Sequence, residues 1–168
     1  MRRSLYTLAF LCLFTVVTSV SAEVVELQNV KIDVPTSWTA MPSASPRSIR
    51  LRGPDGKIEI TVVVHSHGAS SDGDIEQLAK RLSDAETQAF ARTARESGLS
   101  VSHQTANVGK EASRWQLKSS RGLSNGMELR GITIFEAGRA ISIGAESKSA
   151  GQSELDSAVR LVASRVGV

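Results

Sequence analysis

Apolar and polar positions alternate at Val30-Lys31-Ile32-Asp33-Val34, the period-two pattern of a half-buried strand, and Pro35 ends it. Trp38 follows in the turn Val34-Pro35-Thr36-Ser37-Trp38, and the Ser-, Ala- and Pro-rich segment 39–46 reads as a loop. Two strands, 48–52 and 57–65, flank Gly53-Pro54-Asp55-Gly56, a strong turn sequence. Beyond a loop at 69–73 the period lengthens. Ile75, Leu78, Leu82, Ala85 and Ala89 recur at steps of three and four, which predicts a helix from about Asp74 to Ser97. Asp74 with Gln77 suits its capping box and Gly98 its stop.

Four strands follow: 99–107, 112–121, 127–136 and 139–147. Gly109-Lys110, Asn125-Gly126 and Ala137-Gly138 mark the turns between them, and Asn-Gly is the best hairpin signal in the chain. Within 127–136 the apolar phase shifts from Met127 and Leu129 to Ile132 and Ile134, which implies a bulge near Gly131 or a strand covered on both faces. Leu155, Val159, Val162 and Val166 form one stripe of a closing helix, 153–166, with Ser153 at its N-cap. Strands this close in sequence pair mostly antiparallel. The expected product is an α+β domain, an antiparallel sheet of six or seven strands flanked by two helices.

The N-terminus changes the meaning of the composition. Arg2 and Arg3 precede a short apolar core from Leu5 to Val17, and Val20-Ser21-Ala22 has the small residues of a cleavage site. Residues 1–22 therefore read as an export signal, cleaved near Ala22 and too short in its apolar core for a span of about 20 residues. The remainder, 23–168, is expected to be a single domain with no stable membrane span. The lone cysteine, Cys12, leaves with the signal, which removes disulfides, thiolate metal sites and cysteine nucleophiles from consideration. Arg2 and Arg3 leave too, taking the formal net charge from +3 to +1, so the basic balance gives no reason to expect a nucleic-acid partner. Only Trp38, Phe90, Trp115 and Phe135 remain as aromatics, too few for a base-stacking platform.

Most candidate motifs fail on their surroundings. Gly122-Leu123-Ser124-Asn125-Gly126 has the spacing of a nucleophile elbow, but a strand follows where that turn needs a helix, and no histidine lies downstream. Gly109-Lys110 lacks the glycine and the hydroxyl residue of a phosphate loop; Gln104 and Glu111 stand at those places. Asp72-Gly73-Asp74-Ile75-Glu76 begins like a calcium loop, but Gln77 replaces the required glycine. Two features survive. His65 and His67 share a strand face with Glu59, Thr61 and Val63, about 7 Å apart along the strand, a spacing that can chelate one metal if a third ligand joins. Arg50 and Arg52 point together, away from Ile49 and Leu51, and with Trp38 and its Pro-containing loop they are the candidate partner contacts. Trp38 also fits a plug beneath the first strand.

Once the elements are placed, the chain resembles the PsbP-like superfamily, including secreted DcrB-type bacterial proteins. The resemblance is carried by the first strand ending in Val34-Pro35-Thr36-Ser37-Trp38, the hairpin and single long helix, and the run from Ala106 to Lys118 (ANVGKEASRWQLK). The run from Gly126 to Ser147 (GMELRGITIFEAGRAISIGAES) and the closing helix ending LVASRV extend it over nearly all of 23–168. It implies an antiparallel sheet sandwiched by helices and a non-enzymatic domain, since relatives mostly bind proteins or assist assemblies. It carries no catalytic set, metal-ligand positions or cofactor onto this sequence.

The reading is an exported, non-enzymatic binding or accessory domain, periplasmic or secreted, that contacts a protein partner in the cell envelope. The alternative is a metal-binding or metal-dependent hydrolytic protein using His65 and His67. A third is an inhibitor inserting the 39–46 loop into an enzyme cleft.

Overall fold

The structure, a computed structural model, describes residues 23–167; the export signal read at 1–22 lies outside them. The chain runs β1 (Val24–Leu27), β2 (Val30–Asp33), β3 (Thr39–Met41), β4 (Ser48–Arg52), β5 (Glu59–Ser66), α1 (Asp72–Glu96), β6 (Val101–Glu111), β7 (Arg114–Leu123), β8 (Glu128–Glu136), β9 (Arg139–Ser147), α2 (Gln152–Ala163) and β10 (Val166–Gly167). Seven strands form the main sheet in the order β3-β4-β5-β9-β8-β7-β6, every neighbour antiparallel. A second sheet, β1-β2-β10, is also antiparallel. The α+β class, the two helices and the antiparallel meander read from the alternation all hold.

Each face of the main sheet has its own cover. On one face Ile60, Val62 and Val64 of β5, Ile132 and Ile134 of β8, and Ile141 and Ile143 of β9 are buried in one core. That core also takes Leu155, Val159 and Val162 of α2 and Val30 and Ile32 of the small sheet. The other face carries a smaller core under α1, in which Ile75 and Ala79 meet Leu117, Phe135 and Ala140. β8 is thus covered on both sides, and its pairing runs in register through Gly131. Of the two expectations for its phase change, double coverage is correct and the bulge is not. The irregularity in the sheet lies in β6, between Val101 and His103.

Several boundaries differ from the sequence reading, each for a local reason. The 39–46 segment is not wholly loop, because Thr39–Met41 pairs with β4 as a short edge strand. The turn expected at Gly109-Lys110 lies at Ala112-Ser113, both in the left-handed region with φ of 46° and 67°. Gly109 and Lys110 stay extended and pair with Gln116 and Trp115. α1 starts earlier than expected. The Ser71 hydroxyl caps it, accepting from the Asp74 amide at 3.2 Å, an interaction of about 1 kcal/mol. Ala85 faces solvent, and Ala79 and Ala94 take the buried positions. α2 is capped at Gly151, whose amide donates to the Glu154 carboxylate at 2.9 Å, and not at Ser153. Val166 leaves the helix to pair with Ile32.

The start of α1 is fastened to the sheet by polar contacts. The Asp72 carboxylate accepts from Lys110 Nζ at 2.7 Å and from the Trp115 indole at 3.1 Å. The Lys110 hydrogen bond and charge hold the Asp72 carboxyl below its usual range. Lys110 also lies over the Trp115 ring, 5.7 Å from its centroid. From that anchor the helix lies mainly over β6, β7 and β8 and reaches Ala140 at the start of β9. No helix among the described residues is long and apolar enough to cross a membrane.

Candidate functional site

Because α1 lies mainly over β6, β7 and β8 and meets β9 only near Ala140, the same face of the sheet is open over β3, β4, β5 and the rest of β9. Alternation decides what stands there. On β4, Ile49 and Leu51 turn into the core while Arg50 and Arg52 point outward. On β5, Thr61 and His65 are exposed and Val63 is half-buried, and on β9 Gly144 and Glu146 are exposed. The register sets these residues side by side in rows, Arg50–Thr61–Gly144 and Arg52–Glu59–Glu146.

The two arginines are not equivalent. Arg52 donates to Glu59 Oε1 from Nη2 at 2.7 Å and from Nε at 3.2 Å. Arg50 has no ion-pair partner among the described residues and is the free cation of this face. Trp38 does not join them. It is half-buried on the opposite side of the sheet against the main core, its ring 3.5 Å from where a Cβ on Gly53 would stand.

The histidines also part company. His65 stands exposed on the open face, opposite Ala140. His67 lies past the end of β5. Its amide donates to the Gly138 carbonyl at 2.9 Å, and its Nδ1 accepts from the Ala69 amide at 3.2 Å. Its ring lines a hollow beside Asp74, Gln77 and Arg81 at the start of α1, and Nε2 is buried without a protein partner. Among the described residues no three His, Cys, Asp or Glu side chains gather that could hold a metal ion.

Ser124 sits in the β7–β8 hairpin, its Oγ accepting from the Ser100 amide at 3.1 Å, and Gly126 takes the left-handed conformation of that turn. A different chain of polar groups exists at Ser102, His103 and Glu128. Ser102 Oγ lies 3.5 Å from His103 Nδ1, and His103 Nε2 lies 3.5 Å from Glu128 Oε2. Both separations exceed the reach of about 2.6–3.2 Å over which a side chain takes a proton. Arg130, side chain 9% exposed, approaches the same Glu128 Oε2 at 3.7 Å.

Sequence reasoning missed the trough where the open face meets α1. A cavity of about 260 Å³ lies there, lined by Thr61, Glu86, Ser119, Gly131, Gly144 and Glu146, among others. Its floor is a single cross-strand row, Ser119–Gly131–Gly144–Thr61, over β7, β8, β9 and β5. Glu86 of α1 forms the wall and accepts from Arg121 Nη2 at 2.6 Å. The two strand glycines were the available signal, since an isolated glycine in a strand often marks a close approach. Their alignment depends on the register.

No protein-family model matches the chain, and no curated protein matches it by sequence. Solved structures do match in fold. The solution structure of cyanobacterial PsbP (CyanoP) from Synechocystis sp. PCC 6803 aligns with a TM-score of 0.57 at 13% identity, covering 83% of this chain and 86% of that one. A crystal structure from Bacteroides thetaiotaomicron VPI-5482 aligns with a TM-score of 0.44 at 10% identity over 83% of this chain and 44% of that one.

Proposed function

We propose that this chain, whose fold is PsbP-like, is an exported, non-enzymatic binding or accessory domain that holds a protein partner in the cell envelope. The observation that carries this reading is the uncovered half of the main sheet. A face with a packed helix over one half and exposed side chains over the other offers a flat, rigid platform beside a wall. Arg50 stands on it as an uncommitted cation, and Thr61, Val63 and His65 supply mixed polar and apolar surface. The PsbP-like fold supports the accessory role by analogy. The export signal read at 1–22 supports a periplasmic or secreted location.

The test is partner capture. Cells exporting the tagged protein are cross-linked, and the recovered proteins are compared between the wild type and Arg50→Glu. Arg50 is the better choice than Arg52, because Arg52→Glu would line three carboxylates across β4, β5 and β9 and disturb the sheet itself. A partner recovered with the wild type and lost with Arg50→Glu is the expected result. Equal recovery from both proteins would remove this face from the interaction.

A further inference from the structure

We propose that the trough beside α1 is a socket for one basic side chain, an aliphatic stem ending in a guanidinium or ammonium group, carried by the protein partner. This deepens the docking reading above and rests on it for the source of that side chain.

The charge layout points to a cation. Glu146 is exposed and has no ion-pair partner among the described residues. Its cross-strand neighbour on the same face is Glu59. Directly opposite residues on antiparallel strands have Cβ atoms about 5 Å apart, and like charges so placed repel. Two arginines stand on that row, which continues through Leu129 to Arg121, and both are committed: Arg52 to Glu59 at 2.7 Å and Arg121 to Glu86 of α1 at 2.6 Å. Two arginines for three carboxylates, Glu59, Glu86 and Glu146, leave the trough short of one positive charge, at Glu146. At the wall, Glu86 is matched by Arg121, so that pair adds no surplus of either sign.

The shape suits a single side chain. At about 260 Å³ the space falls below the roughly 300–1,000 Å³ of drug-sized ligand pockets. Gly144 leaves its floor open, since a Cβ there would meet nothing within 4 Å. Thr61 and Ser119 offer hydroxyl oxygens at either end of the floor, and Leu129 offers apolar surface to a stem. Arg50 lies two strands from Gly144 in the same row, about 10 Å away at the usual strand spacing. The platform therefore selects a partner surface whose basic side chain has an acidic neighbour at about that distance, an arrangement that fixes orientation as well as sign.

Two defined probes test the socket: N-acetyl-arginine amide and N-acetyl-glutamate amide, titrated into the folded protein and followed by amide chemical shifts. The expected result is saturable shifts centred on Gly131, Gly144 and Glu146 with the arginine probe and none with the glutamate probe. Glu146→Gln keeps the shape and removes the charge, so affinity should fall about tenfold. Gly144→Leu fills the floor and should abolish binding, and a wild-type-like amide spectrum shows that each variant has folded. Shifts spread without saturation over surface carboxylates, equal response to both probes, or indifference to Glu146→Gln would overturn the proposal. Arginine binding in the trough with no partner captured would remove the docking role and leave the socket. A partner lost with Arg50→Glu but held equally by Glu146→Gln would remove the socket and leave the docking role.

Discussion

Gly122→Ala is the sharpest test of the packing described here. Gly122 lies in β7 beneath the imidazole of His103. A Cβ built on it would stand 2.4 Å from His103 Cε1, 2.5 Å from Nδ1 and 2.5 Å from Ser102 Oγ. The backbone there is not in the left-handed region, so alanine brings no conformational penalty. It should even gain about 0.4–1 kcal/mol by restricting the unfolded chain. Against that gain stands overpacking. The ring must swing away, giving up its approach to Glu128, and such insertions cost about 1–3 kcal/mol. The net expectation is a loss of about 1–2 kcal/mol, or a melting temperature lower by about 3–8 °C for a domain of this size. Truncating the ring separates this cause from any other. In a His103→Ala background the added methyl meets only the rotatable Ser102 hydroxyl, and most of the loss should disappear. Urea or thermal melts of the four proteins complete the cycle. A neutral Gly122→Ala, or the same loss with and without His103, would refute the argument.

Three further expectations follow from the same geometry. Trp38→Ala should destabilise by about 2–4 kcal/mol in a urea melt, since the ring packs on the main core; a contact residue would leave stability unchanged. Asp72 has a carboxyl pKa lowered by Lys110, so its contribution is present above the ordinary carboxylate range and is lost as pH falls through the depressed folded value. Asp72→Asn should therefore remove part of the acid-side dependence of the melting temperature and leave its slope above neutral pH unchanged. Zinc titration of the wild type and His65→Ala/His67→Ala should give the same affinity, because His67 Nδ1 is occupied by the Ala69 amide; a large loss in the variant would restore the metal reading.

What was legible in the sequence was whatever one buried face and one wet face wrote into it. β4 and β5 bury every second residue, as β9 does from Ile141 on, so the alternation located them and turned Arg50 and Arg52 outward. β1 reads Val-Val-Glu-Leu, which does not alternate, and β10 has two residues, so neither shows a period, and they are strands only because β2 lies between them. The β6–β7 turn hid because Ala112 and Ser113 adopt positive φ without the Gly or Asn that usually announces it. The site divided in the same way. The exposed arginines could be read from one strand. The trough could not, because Ser119, Gly131, Gly144 and Thr61 come from four strands, and their row exists only in the register.

The small sheet settles a matter of orientation. β1 and β10 pair with opposite edges of β2, so Val25 and Val166 flank Ile32, about 10 Å apart across two strand spacings. Both ends of the described chain therefore belong to the layer that covers the core face and not to the open face carrying Arg50 and the trough. A tag, tether or surface linkage at either end would hold the domain by its back and present the platform outward. The same closeness lets a short linker join residues 23 and 167 and new ends be cut at the exposed Asn125-Gly126 hairpin. In that permuted molecule the point of attachment would move to the end of the main sheet while every strand kept its neighbours.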